Sequence, residues 1–248
     1  MNIIVAMKQV PDLEQIRIKD KKPVMDNVLW TFGSLDKNAL EAAVELKEVA
    51  GGKIIVLSVG NEELEDTVKE ALAAGGDEAY LLADEEFAKL DSAQTAVVIA
   101  ECIKKIDDVG IILFGEGSGD NYSGQMAGRV AEILGTPIIG YAKSLKLNDS
   151  TVTAVSSLED REEIIEANAP VVISVVADIN EVRIPAVTQI LKAGKKPKEV
   201  LEADDVQIQI PKAAIETLSS LAPENNRKRI AVKDTAELVA ALKSENLI

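Results

Sequence analysis

The chain contains no histidine and only one cysteine, Cys102, among its 248 residues. The absence of histidine excludes a serine–histidine–aspartate triad, a histidine general base and a histidine-ligated metal. A single cysteine excludes an intrachain disulfide and any zinc or iron–sulfur centre held by several cysteines, and it is typical of a reducing compartment. We therefore expect no metal site and no catalytic residues of these kinds.

Aromatic residues make up 3% of the chain, and 27 basic residues face 42 acidic ones, for a net charge of −15. Nucleic-acid binding requires basic surface and is often helped by aromatic stacking, so no nucleic-acid partner is expected. Apolar runs, such as residues 171–177, reach only about seven residues, far short of the ~20 that span a bilayer. The first residues lack the basic start of a signal peptide. These features predict a cytoplasmic protein that is not itself inserted in a membrane.

Over the first two-thirds of the sequence, short β-branched segments alternate with longer amphipathic segments. We predict strands at residues 2–7, 53–58, 79–82 and 110–115, and helices at residues 36–49, 62–74, 92–106 and 123–134. In the first helix, Leu40, Ala43, Val44 and Leu46 lie near one face, and Glu41, Glu45, Lys47 and Glu48 lie largely elsewhere. The alternation predicts an α/β fold: a mostly parallel, Rossmann-like sheet with helices on both faces.

The later part of the chain has a different pattern. Residues 137–142, 144–147, 151–155, 162–166 and 171–176 are short strand-like segments without helices between them, which predicts an antiparallel addition at one edge. We expect a nucleotide-binding domain at residues 1–191 and a C-terminal arm at residues 192–248. The arm ends in a helix, because Asp234 and Glu237 have capping-box spacing. It either packs on a partner subunit or folds back on its own domain.

The most informative segment is rich in glycine and lies between a predicted strand and a predicted helix. It comprises Gly115, Glu116, Gly117, Ser118, Gly119, Asp120, Asn121, Tyr122 and Ser123. Glycines allow close backbone approach, and free N–H groups at a helix start favour phosphate. The segment lacks the Walker lysine and the Rossmann glycine spacing. A phosphate cradle and a plain turn capped by Asp120 or Asn121 both fit.

Two other strand ends carry small residues, at Ala6 and at Ser58 to Gly60. Ligands bind outside the carboxyl ends of strands in open parallel sheets, so these positions leave room for an adenine ring, although core packing explains Ala6 and Val59 equally well. No activated nucleophile or paired acid and base is evident. Binding of a nucleotide cofactor without such residues is typical of an electron-transfer module.

Four separated segments carry a family resemblance. They are IIVAMKQVPD, SLDKNALEAAVELKE, GEGSGDNYSGQ and, most specifically, ADINEVRIPAVTQILKAGKKP. On these segments the chain resembles the β subunit of electron transfer flavoproteins. The resemblance implies an adenine-nucleotide α-hydrolase-like fold, an α-subunit partner that carries flavin, and either FAD or AMP in this chain.

The resemblance also implies roles for individual residues. Ala6, Gly33, Ser34, Leu35, Asp36 and Val59 would lie on the base and ribose side of the nucleotide. The phosphate side would be residues 115–123. Residues 175–197 would form the recognition loop for redox partners, with Val187 as its apolar anchor. From charge alone, Lys192 and Lys195 belong to a lysine cluster that fits a solvated loop, a docking site for an acidic redox partner or a site for a cofactor phosphate. The final helix would grip the α subunit.

The glycine-rich loop is shorter than in the AMP-binding branch of the family and is similar to that of the bifurcating branch. This implies FAD in the chain, NADH as donor, and electrons divided between ferredoxin or flavodoxin and the α-subunit FAD, which leads to a quinone-directed flavoprotein. Such a complex would touch the membrane surface through its partner. The alternatives are a carrier with structural AMP serving acyl-CoA dehydrogenases, a stand-alone ATP-binding protein of the universal-stress type, and a subunit with a vestigial nucleotide site.

Overall fold

The computed structural model describes residues 1–202, 205, 208–213, 215–224 and 227–248. The strands are β1 (Asn2–Ala6), β2 (Gln9–Pro11), β3 (Arg17–Lys19), β4 (Lys22–Val24), β5 (Trp30–Phe32), β6 (Lys53–Gly60), β7 (Glu78–Ala83), β8 (Val109–Gly115), β9 (Ile138–Asn148), β10 (Thr151–Ser157), β11 (Glu162–Asn168), β12 (Val171–Val175) and β13 (Lys198–Leu201). The helices are α1 (Ser34–Ala50), α2 (Leu64–Ala74), α3 (Ser92–Ile103), α4 (Met126–Leu134), α5 (Val187–Ala193) and α6 (Thr235–Ser244). Among the described residues, none of the helices has the length and apolar content needed to cross a bilayer.

Nine strands form the main sheet in the order β11-β10-β9-β12-β8-β1-β6-β7-β13. From β9 across to β13, every pair of neighbouring strands is parallel. The predicted parallel α/β sheet is therefore confirmed. The first strand of the chain lies near the centre, because the sheet grows from β1 in one direction through β6 and β7 and in the other through β8 and β12.

Two apolar layers cover the sheet, and alternate residues of each strand enter opposite layers. In β1, Ile3 and Val5 pack with α1 and α2, while Ile4 and Ala6 pack with α3 and α4. This alternation follows from the two-residue period of a strand. Because both faces are covered, the central strands are mostly apolar, with buried Ser58 and Ser174 as exceptions, as in most parallel sheets.

The predicted antiparallel extension is also confirmed. β10 pairs antiparallel with both β9 and β11, while β12 returns parallel to β8 and β9. The register of β9 shifts against β10 and β12 near Tyr141, which has a φ of 54°. Such a bulge bends the strand at the edge of the parallel sheet.

The predicted start of the fourth helix was wrong by three residues. We expected a helix from residue 123, but α4 begins at Met126. The reason is Gly124, which has a φ of 63° and so cannot belong to a right-handed helix. The glycine-rich loop is therefore longer than predicted.

The described chain divides into two compact units. The larger comprises residues 1–16 and 25–217, and it contains the sheet, including β13. The smaller comprises residues 17–24 and 218–248, in which the backbone N–H of Ala222 donates to the carbonyl of Lys21 at 2.8 Å. The boundary that the sequence suggested, at residue 192, falls inside α5. The larger unit continues beyond it to residue 217, and this stretch includes β13, which pairs with β7.

Candidate functional site

The order of the central strands locates a crevice. The chain proceeds from β1 through β6 to β7 on one side and then crosses β1 to enter β8 on the other. Ligands of open α/β sheets bind at this change of direction, outside the carboxyl ends of the strands. The candidate site therefore lies where β1 and β8 end, next to the start of α1 and the loop before α4.

Asp36 joins three segments at this position. Its carboxylate accepts the backbone N–H of Lys8 at 2.7 Å and a backbone hydrogen bond from Gly115. Asp36 belongs to the first turn of α1 and is 7% exposed. Burial raises its pKa from 3.8 to about 7, although the two backbone hydrogen bonds and the Lys8 charge oppose the shift. The end of β1, the end of β8 and the start of α1 are thus held by one carboxylate.

Two glycines of the loop, Gly115 and Gly117, lie very close to neighbouring residues. A Cβ at Gly115 would lie 2.8 Å from the Cβ of Leu35 and 2.9 Å from Oδ1 of Asp36. A Cβ at Gly117 would lie 2.6 Å from the ring of Tyr122. The structure therefore brings the predicted segments at residues 33–36 and 115–123 into contact.

A second interaction fastens the loop to the end of β1. The ammonium group of Lys8 lies 2.6 Å from the Asp120 carboxylate. Burial disfavours the charged form of Asp120, but the hydrogen bonds from Lys8 and Ser118 outweigh this, so its pKa lies below the usual range. Asp120 thus binds Lys8, and the suggestion that Asp120 or Asn121 caps the following helix was wrong.

The start of α4 fits a phosphate group. Its N-cap is Gln125, whose side chain makes no capping hydrogen bond. First-turn N–H groups without a side-chain acceptor, at the positive end of the helix, are suited to an anion. The preceding residues, from Gly119 to Gly124, are exposed, so a nucleotide phosphate could reach these groups.

Ala6 and Val59, at two other strand ends, give weaker evidence for a nucleotide. Ala6 is buried, and Val59 packs against the same apolar layer next to α3 and α4. Both lie at the carboxyl edge, so they are compatible with an adenine ring, but core packing alone accounts for them. At the crevice, in contrast, Ser34 is exposed and Leu35 is half-buried.

The predicted docking residues are all exposed and lie in or just beyond α5. Val187 is 72% exposed and begins this helix, while Lys192 and Lys195 lie near its end. Ile184 and Leu191 add further exposed apolar surface. We call residues 177–196 the docking segment below. Exposed apolar residues beside lysines are suited to a protein partner.

Contacts that the sequence pattern did not predict hold this segment to α1. Glu41 was placed away from the buried face, yet it is 6% exposed, because Arg183 covers it and donates to both of its carboxylate oxygens. Asn38 donates to the carbonyls of Ala177 and Asn180. The helical period alone indicates which residues face the sheet, but it contains no signal for a distant segment that covers the opposite side.

The far end of the docking segment has its own anchor, which was also missed. The ammonium group of Lys196 donates to the carbonyl oxygens of Leu72 and Gly76 at 2.7 and 2.6 Å. These carbonyls lie at the end of α2, where a cation is favoured by the helix dipole. The sequence shows Lys196 only as one member of a lysine cluster.

The remaining candidate groups have structural roles. Cys102 is buried in α3, and burial raises the pKa of its thiol to about 11, as expected for an unreactive cysteine. Within the described residues, no group of three or more acidic or cysteine side chains could hold a metal ion.

A family model, the electron transfer flavoprotein domain, matches residues 24–206. The chain is 36% identical over 211 residues to an electron transfer flavoprotein β subunit from Thermoanaerobacterium thermosaccharolyticum. The alignment covers 84% of this chain and 81% of the relative. The chain belongs to the family of electron transfer flavoprotein β subunits. Electron transport is therefore its class of function, and the matched range includes α1, the glycine-rich loop and the docking segment.

Two other electron transfer flavoprotein relatives extend the comparison. The β subunit of Clostridium acetobutylicum is 31% identical over 260 residues, and the alignment covers all of both chains. Subunit CarD of the caffeyl-CoA reductase–Etf complex of Acetobacterium woodii is 32% identical over 209 residues, covering 83% of this chain and 80% of CarD. The resemblance found in the sequence is thus confirmed at the level of the family.

Proposed function

We propose that this chain is the nucleotide-binding and partner-docking subunit of a heterodimeric electron transfer flavoprotein. The observation that carries the proposal is the crevice at the ends of β1 and β8, where Asp36 ties the start of α1 to the strand that leads into the glycine-rich loop. The uncapped start of α4 supports a phosphate position there. The α subunit would supply the second flavin, and the C-terminal arm, residues 192–248, would pack on it.

We further propose that the nucleotide is FAD and that the complex is electron-bifurcating. The support is the short form of the loop between Gly115 and Gln125. FAD bound here would supply the two-electron oxidation of NADH and one-electron delivery to two acceptors. These are a low-potential ferredoxin or flavodoxin and the α-subunit flavin, which serves a quinone-directed flavoprotein or another high-potential acceptor.

In this proposal, the chain's own residues bind and orient. The amides of the loop and of the α4 start would hold the pyrophosphate, and Gly33, Ser34 and Leu35 would line the ribose and base side. Lys8 lies beside the loop through its ion pair with Asp120, so it would offset phosphate charge. The docking segment would present Val187, Lys192 and Lys195 to the redox partner.

An AMP-containing carrier is the second candidate. It would carry electrons from acyl-CoA dehydrogenases. The name of the relative CarD places that protein in a complex with caffeyl-CoA reductase and does not distinguish FAD from AMP. A CoA-ester oxidoreductase is therefore a reasonable class of partner for this chain as well. Both candidates use the same crevice and the same docking segment, and they differ in the nucleotide.

The deciding experiment is a count of nucleotides. The chain is co-expressed with its α subunit, the heterodimer is purified, and the ligands released by acid are separated and quantified. About two FAD and no AMP per heterodimer support the bifurcating proposal. One FAD and one AMP would favour the carrier, and a working heterodimer without any nucleotide in this chain would contradict both.

A bifurcating complex must also oxidise NADH only when both acceptors are present. NADH consumption is followed with ferredoxin alone, with a quinone analogue alone, and with both. Coupled consumption supports the proposal. Failure to oxidise NADH with any pair of acceptors would overturn it while leaving the docking function intact.

A further inference from the structure

Outside the crevice, a network of four hydrogen bonds joins α1 to the docking segment. The Arg183 guanidinium donates from Nε to one Glu41 oxygen at 2.7 Å and from Nη2 to the other at 2.8 Å. The backbone N–H of Arg183 reaches the same carboxylate at 3.2 Å, and Nη1 donates to Glu48 at 3.0 Å. One arginine thus fixes both its side chain and its backbone on α1.

The Glu41 carboxylate is buried, so it depends on its hydrogen bonds. The Glu41 side chain is 7% exposed, and Arg183 is 33% exposed. A buried carboxylate is costly unless it is fully hydrogen-bonded. All the hydrogen bonds that the structure gives to the Glu41 carboxylate come from Arg183, so displacing the segment would leave this carboxylate without these partners.

Little apolar burial holds the segment by itself. Ile184 is 94% exposed, and Val187 and Leu191 are each 72% exposed. These side chains follow Arg183 directly along the chain. The shape of the segment therefore depends on its anchors: Asn180 and Arg183 on α1 at one end, and Ala193 and Lys196 next to α2 at the other.

We infer that Glu41, acting through Arg183, is a positioning residue for partner docking. It holds the backbone at residue 183 so that Ile184, Val187 and Leu191 project together before the partner arrives. Preorganisation of this kind improves affinity because less conformational freedom is lost on binding. The inference rests on the proposed docking function of the segment, and it predicts an effect on encounter with the partner rather than on electron transfer within the complex.

The test uses the αβ heterodimer and an acyl-CoA dehydrogenase that reduces the unmodified heterodimer. Glu41→Gln removes the charge while keeping the size. The matched control is Arg161→Gln, which alters an exposed arginine that also pairs with two carboxylates, Asp160 and Glu163. Val187→Asp changes the proposed contact surface directly. The readouts are kcat and KM for the heterodimer as substrate, amide exchange of residues 183–193, and released nucleotide.

For Glu41→Gln we expect KM to rise about five- to tenfold, with kcat and nucleotide content near those of the unmodified protein. Amide exchange should become faster in residues 183–193 only, and Arg161→Gln should leave all readouts unchanged. An unchanged KM would overturn the inference, whether or not exchange becomes faster. If Glu41→Gln does not fold, Arg183→Lys serves instead, because lysine keeps the charge and loses the two-pronged geometry.

The result for Val187→Asp distinguishes failure of the proposed docking function from failure of the positioning role of Glu41. If this variant also leaves KM unchanged, the segment does not dock the dehydrogenase, and the proposed docking function fails. If Val187→Asp raises KM and Glu41→Gln does not, docking stands and the positioning role of Glu41 is wrong.

Discussion

At the scale of single residues, the buried carboxylates organise this molecule. Asp36 is placed where β1, β8 and α1 meet, and Glu41 lies five residues further along the same helix under the docking segment. Each accepts hydrogen bonds from parts of the chain that are far away in sequence. The same helix therefore touches both the crevice, through Asp36, and the docking segment, through Glu41, which a simple amphipathic pattern assigns to solvent.

The raised pKa of Asp36 predicts a pH-dependent stability. The folded chain releases this proton near pH 7 and the unfolded chain near 3.8. Between these values the folded state binds more protons, so this contribution to the free energy of unfolding falls as the pH rises, and it is lost above about pH 7. Asp36→Asn removes the titration, so its stability relative to the unmodified chain should increase with pH across this window.

The increase should reach at most about 1.4 kcal/mol per pH unit and level off above about pH 8. The measurement is urea unfolding of the nucleotide-free chain at several pH values, followed by circular dichroism. Asp149→Asn, an isosteric change on an exposed turn, is the control. A stability difference for Asp36→Asn that does not change with pH would contradict the assignment.

At the scale of elements, the contact between β8 and α1 determines the shape of the crevice. Gly115 ends β8 directly against Leu35 and Asp36, at distances that leave no space for a side chain. The loop that follows then passes Gly117 and Tyr122 before α4 begins. Glycine at position 115 is therefore required by packing.

Gly115→Ala should accordingly damage both stability and nucleotide binding. The added methyl group would lie 2.8 Å from Leu35 and 2.9 Å from Asp36, so α1 must move away from β8. Overpacking of this kind costs about 1–3 kcal/mol. We expect a lower melting temperature and less nucleotide released per heterodimer.

The control is Gly194→Ala, because this glycine has a φ of −63° and no atom lies within 4 Å of an added Cβ. Its melting temperature and nucleotide content should match those of the unmodified protein. Normal nucleotide content in the Gly115→Ala protein would mean that the start of α1 does not take part in binding.

At the scale of the whole molecule, the chain combines a deeply packed unit with a sparsely packed one. The central strands of the larger unit are almost completely buried. In the smaller unit, α6 has no buried residue, although Leu238 and Val239 are apolar. A helix of this length is marginal without burial of an apolar face. This supports the proposal that the final helix packs on another subunit.

Hydrogen exchange of the isolated chain should therefore show a strong contrast. Amides of α6 should exchange orders of magnitude faster than those of β1, β6 and β8, because local opening of an unburied helix costs little free energy. Addition of the α subunit should slow exchange in α6 specifically. Slow exchange in α6 of the isolated chain, or no change on adding the α subunit, would argue against the arm.

Much of the fold could be predicted because its signals are local. Short β-branched runs and the 3.6-residue period identified the strands and helices of the parallel sheet except β13, which was missed. The absence of helices between residues 137 and 176 identified the antiparallel extension. Capping of α6 by Asp234, which accepts the N–H of Glu237 at 2.9 Å, was also visible in the sequence. The start of α4 was not, since the positive φ of Gly124 depends on the path of the whole loop.

Composition and residue order were enough to identify the class of this protein. The absence of histidine, the single cysteine and the four family segments are properties of composition and order, and they indicate an electron transfer flavoprotein β subunit without any reference to contacts. The folded contacts were needed to show that Asp120 binds Lys8, that Arg183 buries Glu41 and that Lys196 donates to the carbonyl of Leu72 near the end of α2. These pairs join residues that lie more than 100 positions apart, so their partners exist only once the sheet has brought them together.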